Sequence, residues 1–270
     1  MNQGATTNGS FDAQEYVQKL PIFAGGLNNE SRLSHEIADW TYRFNGHIAY
    51  AGAYFRGKIA PVSYTAKVKS GAVPDATSDI GYINTYYKSY YPGFNIDNIQ
   101  YGGLASLLCS STTYSFLKGY YDFIKTGDPT VRTLTWNGVR LPDVNFYFTR
   151  NGLSLEVISG YQINPNLWVN LGIETVYYPA KSIELTPSIR YALPTSIYGM
   201  FEFDAGVVIN GYGHFSCHVG VEWTDPVNPL TLHAKLIHHN ANTYVGERNI
   251  PHALKGDHDV EMMVSASYNY

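Results

Sequence analysis

Three observations predict an all-β fold, a transmembrane antiparallel β-barrel with a short N-terminal helix. Apolar and polar residues alternate with period two from about residue 33 to the last residue. The alternating runs last about 10–13 residues between turns, against about five or six for a sandwich strand and about 9–11 for a membrane-crossing one. The polar positions hold Ser, Asn, Gly, Thr and scattered acids rather than abundant Lys and Glu. That composition suits a wet lumen better than a solvated outer surface.

Composition narrows the class further. The 270 residues include 18 Lys+Arg and 22 Asp+Glu, a formal charge of −4, which excludes a nucleic-acid binder built on clustered basic charge. Charged residues make up 15% of the chain, below the roughly 25% of a soluble domain. Aromatics make up another 15%, with 24 Tyr among them, too much apolar surface for a disordered chain. No run of about 18 apolar residues offers a transmembrane helix. The first 30 residues hold one base, Lys19, and no long apolar core, so no secretory signal is expected. Cys109 and Cys217 cannot define a disulfide scaffold and are expected to be inert buried or lipid-facing thiols.

The elements follow in order. Residues 1–10 are small and polar and read as a tail. Ser10 as N-cap, Asp12 in the first turn and Pro21 as a stop mark a short helix. Residues 1–32 form this tail-and-helix region, docked in or near the lumen, and 33–270 the barrel. Strands are expected over 42–52 and near 62–69, 79–90, 96–107, 110–122, 131–140 and 143–150. From 152 the alternation is clearest. Leu167, Val169, Leu171 and Ile173 oppose Asn170, Gly172 and Glu174, and later runs repeat the pattern between Asn164-Pro165-Asn166, Pro179-Ala180, Asn210-Gly211 and Asp225-Pro226. The direct count is about fifteen strands.

Gly26-Leu27-Asn28-Asn29, Leu33-Ser34-His35 and YRFNGHIAYAG at 42–52 resemble the barrel entry of a known family. ISGYQINPNLWVNLGIETVYY, HVGVEW and NPLTLHAKLIHHN follow in the matching order. The family is the central channel subunit of the mitochondrial outer-membrane protein translocase, in the mitochondrial porin superfamily. The resemblance implies a nineteen-stranded barrel in the mitochondrial outer membrane, conducting unfolded precursor proteins with basic presequences. It also implies accessory and receptor subunits and an oligomeric complex in the lipid bilayer. The family's last-strand insertion signal falls on Ser265, Tyr268 and Tyr270, with Ser265 standing where the family has Gly.

The expected lumen face carries Glu156, Glu174, Glu184, Glu202, Asp204, Glu222 and Glu261 against Arg190 and Lys235. Such a pore attracts cations, and targeting segments are Arg-rich and poor in acids. Metabolite or ion conduction, as in mitochondrial or bacterial porins, is the alternative function, and a soluble β-sandwich a third reading. No enzyme is expected, because GxSxG, P-loop, HExxH and CxxC motifs are all absent. His214 and His218 lie about 13 Å apart along a strand, too far for one ion. Neither a metal nor another cofactor is therefore expected. Tyr177, Tyr191, Trp223, Tyr268 and Tyr270 are read as outward rings of an aromatic girdle.

Overall fold

The computed structural model describes residues 13–72, 78–149, 152–179, 182–195, 199–210, 215–225, 230–239 and 260–268. Its second half is the antiparallel sheet that the alternation predicts. Strands β4 (Val139–Thr149), β5 (Gly152–Asn164), β6 (Leu167–Pro179), β7 (Ser182–Thr195), β8 (Gly199–Asn210), β9 (Phe215–Thr224), β10 (Leu230–His239) and β11 (Val260–Tyr268) each pair with the next. A two-residue strand β3 (Thr135–Trp136) joins β4 through Asn137-Gly138, both at positive φ, the backbone form that suits a tight hairpin.

Among the described residues the sheet has nine strands in the order β11 to β3 and is not closed into a ring. Eleven strands form among the described residues, counting the short pair β1 (Gly46–His47) and β2 (Thr130–Val131), instead of the expected fifteen or nineteen.

The first half differs from the strand reading. Helices α1 (Ala13–Phe44), α2 (Ala51–Lys69), α3 (Asp79–Tyr90), α4 (Ile96–Leu108) and α5 (Ser111–Thr126) occupy it. Helix α1 runs through Pro21, where a stop was expected, and across the expected boundary at residue 32. Local signals favour the helices: Ser78 caps α3, Asn95 and Asn98 form a capping box on α4, and Gly127 ends α5 at φ 75°. Gly57 lets α1 and α2 meet, since a Cβ there would lie 2.1 Å from the Glu30 carbonyl oxygen. None of the described helices is long and apolar enough to cross a membrane.

These helices close around β4. Residues 143–149 are all buried, and the β4 backbone that faces away from β5 bonds to helix side chains at every second residue. Val144 O accepts from Lys58 Nζ, Ser106 Oγ and Ser110 Oγ, while Val144 N donates to Ser110 Oγ. Phe146 O accepts from Ser31 Oγ, and Phe148 bonds through both N and O to the Asn28 carboxamide. Side chains thus do what a further strand would do at an open edge. This is the physical reason that β11 does not meet β4: the β4 edge is already satisfied. The apolar core lies here as well, with Phe23, Ile80, Ile83, Tyr87, Phe94 and Ile99 against Phe146, Phe148 and Leu153.

Candidate functional site

The two faces of the sheet have the reverse of a soluble protein's burial. Along β6, Leu171 is 47% exposed while Asn170 is 7% and Glu174 1% exposed. Strand registry extends this across the sheet: Tyr161, Val169, Ile189, Ala205, Val219, Leu236 and Met262 form one cross-strand row. Six of the seven are exposed large apolar or aromatic residues. A second row, Val157–Ile173–Leu185–Ile209–Phe215, is exposed throughout. An apolar patch of this extent marks an interaction surface.

The opposite face is polar and buried. Glu156, Glu174 and Glu184 stand directly opposite one another on β5, β6 and β7, and all three are buried. Asn145 Nδ2 donates to Glu156 Oε2 at 3.2 Å and Ser154 Oγ to Glu174 Oε1 at 2.5 Å. Carboxyl groups are rarely buried so completely. Glycines make room beside this row. Cross-strand pairs Gly160–Asn170, Gly172–Thr186, Gly206–His218 and Gly220–Asp204 each place a polar side chain within 2.1–2.6 Å of where a Cβ would be. Each of these side chains therefore lies flat over the neighbouring strand.

Helix α1 delivers charge to the same face. Asp39 Oδ2 meets Arg43 Nε and Arg190 Nη1 at 3.0 Å each, and Asp39 Oδ1 lies 3.6 Å from Arg140 Nη1. Arg43 also pairs with Glu202, and Arg190 Nη1 reaches Glu202 Oε1 at 3.4 Å. Arg140 Nη2 pairs with Asp143 at 2.5 Å. Asp143 in turn accepts from the Thr112 amide and hydroxyl in the first turn of α5, a favourable place for a carboxylate. Three acids (Asp39, Asp143, Glu202) thus meet three arginines (Arg43, Arg140, Arg190). Burial alone would raise the Asp39 carboxyl, but Arg190, Arg43 and Arg140 hold it well below the usual carboxylate range. Lys58, buried in α2, is pulled down to about 8 by desolvation, with Arg140 adding to that and Asp143 opposing it.

The expected acidic residues divide into groups. Glu156, Glu174, Glu184 and Glu202 are buried on the polar face. Asp204 belongs there too, 3.0 Å from His218 Nε2 and 3.8 Å from Lys235 Nζ. Glu222 stands opposite Glu202 and is partly buried. Glu261 lies on β11, but its side chain is outside the described residues, as is that of Tyr268. Ser265 is exposed on the same strand, and Tyr270 is outside the described residues.

The expected excess of acid over base omitted Arg43, Arg140 and Lys58. The signal for the first was a polar stripe on α1 (Asn28, Ser31, His35, Asp39, Arg43) at helical spacing. Tyr177 is not part of an outward girdle. The register shifts between Leu153 and Ser154 opposite it, and its hydroxyl bonds Asn98 O at 2.8 Å, as a bulge re-aims a side chain. Tyr191 is exposed and Trp223 partly so. Cys109 is exposed at the end of α4 rather than buried, and Cys217 is intermediate. No group of His, Cys, Asp and Glu among the described residues could hold a metal ion. No protein family, curated protein or solved structure matches this chain.

Proposed function

We propose that this chain is a membrane-embedded β-protein of the channel class, with its apolar sheet face in lipid and its polar face serving cations. The observation that carries the reading is the inversion of burial: Leu171 and Ile173 outside, Asn170 and Glu174 inside. Strands of 9–14 residues match the hydrocarbon thickness. The buried glutamate row supports a cationic solute. Helix α1, latched by Asp39 and Arg43, is the natural plug, so the resting state is closed. An eight- or nine-stranded ring would leave an interior just wide enough for side chains. A wider barrel would therefore need strands beyond the nine of the described sheet.

Passage of precursor proteins through the mitochondrial outer membrane is the second reading, resting on the family resemblance. One contact favours it: Glu202 already holds an arginine presented by a helix, Arg43, as it would hold a basic presequence.

Carbonate extraction and planar-bilayer recording test both readings. The expected result is membrane retention, low conductance for the wild type, and larger cation-selective currents for Asp39→Asn/Arg43→Gln. Presequence peptide blocking those currents would favour the second reading. Release of the protein by carbonate would overturn both.

A further inference from the structure

The two edges of the sheet are unlike. The β4 edge is sealed by Asn28, Ser31, Lys58, Ser106 and Ser110, so it cannot accept a strand. At the other end, β11 pairs with β10 on one side and with no described residue on the other. Its described side chains are exposed on both faces, Val264 at 69% and Met263 at 39%. An unpaired row of amides and carbonyls is strongly disfavoured in lipid, where no water can satisfy it. Ring closure onto β4 is not open to it.

We infer that β11 is an assembly edge, and that its occupant is β11 of a second copy of this chain, running antiparallel about a two-fold axis at Val264. The energetic weight of this inference rests on the lipid-facing reading, but its geometry does not. Nine residues, 260–268, overlap completely in that register. Val264 then stands opposite itself and Met262 opposite Ala266, so the exposed apolar rows continue from one copy into the next. The single acid of the strand, Glu261, falls opposite Ser267, and no position sets two charges against each other. An isologous two-fold contact of this kind closes after two copies. At the other end helix side chains take up β4 along Val144–Phe148 and the two-residue β3 is too short to template a strand, so the assembly ends as a dimer rather than a fibre.

Disulfide trapping tests this in the full chain carrying Cys109→Ala and Cys217→Ala, in detergent and in liposomes with a copper–phenanthroline oxidant. Opposite residues in an antiparallel pair lie about 4.5–5.5 Å apart at Cα, within disulfide reach. Val264→Cys should therefore cross-link to a species of twice the chain mass. Met262→Cys alone should not, because its copy would sit about 13 Å away along the strands. Mixing Met262→Cys with Ala266→Cys should restore the cross-link. A monomer by light scattering, equal cross-linking at Met262 and Val264, or an internal disulfide between Val264→Cys and Phe146→Cys would each overturn the inference. Carbonate extraction reports separately. A soluble dimer trapped at Val264 would remove only the membrane reading, and a membrane-bound monomer only the dimer.

Discussion

Asn28 and Phe148, 120 residues apart, are joined by both ends of one carboxamide: Asn28 Nδ2 donates to Phe148 O and Phe148 N donates to Asn28 Oδ1, each at 2.9 Å. A side chain on α1 thereby stands in for a residue of a paired strand. Asn28→Ala leaves two buried backbone groups without partners, a loss of about 2–4 kcal/mol. Asn28→Asp keeps the acceptor and sets a carboxylate against the Phe148 carbonyl, so it should be at least as damaging. Thermal unfolding of the two variants checks this. Wild-type stability for Asn28→Ala would mean that the edge is sealed some other way.

Asp39 holds three arginines together, so its removal should leave buried positive charge uncompensated. Asp39→Asn is expected to cost about 3–5 kcal/mol, and the added change Arg190→Met should recover part of it. The folded carboxyl ionises below its unfolded value of 3.8. Its stabilisation is therefore complete above that value and lost as pH falls through the lower, folded one. A double-mutant cycle with acid titration of unfolding measures both effects.

Lys58 gives a pH dependence of the same sign, in an alkaline window. Its pKa is about 8 in the fold and 10.5 in the reference state. Between those values the unfolded chain binds a proton that the folded chain does not. Wild-type stability should rise with pH relative to Lys58→Met by about 1.4 kcal/mol per unit over this window. Below pH 8 the difference should be flat. Unfolding free energies of both proteins from pH 7 to 10 decide it, and a falling difference would contradict the assignment.

Leu171 and Asn170 are adjacent and face opposite ways. Leu171→Arg should cost about 2–4 kcal/mol in a bilayer if it lies near mid-depth and should impair membrane integration in an import assay. For mapping, Val169→Cys should resist a membrane-impermeant thiol reagent in liposomes while Asn170→Cys reacts once α1 is released. Equal labelling of the two would refute the orientation.

The period-two alternation after residue 152 was legible because each strand there has one apolar and one polar face, whichever side is wet. The polar positions it assigned, Asn170 and Glu174 among them, are on one face of the sheet. The helices were not legible by the same rule. The buried face of α5 is Ser111, Thr112, Thr113, Ser115, Phe116 and Gly119, whereas Tyr114, Leu117, Tyr121 and Ile124 are exposed. A search for an apolar helical stripe fails on such a helix, and its Tyr and Thr content imitates a strand. Caps carried the missing information: Asn95 with Asn98, and Gly127 after Thr126. The Asp39 cluster could not be read at all, since its members come from α1, β4, β7 and β8 and only the fold brings them together.

The sealed β4 edge also gives the sheet a direction of growth. Every strand from β5 to β11 pairs with the one made just before it, and up to β10 each addition closes only a short loop, which is the fast kind of contact to form. Growth toward the N-terminal side is stopped by side chains that leave the ribosome earlier, on α1, α2 and α4. Pairing order and chain order therefore coincide along the described sheet from β4 to β11, so a chain emerging from its N-terminal side meets each pairing partner already made.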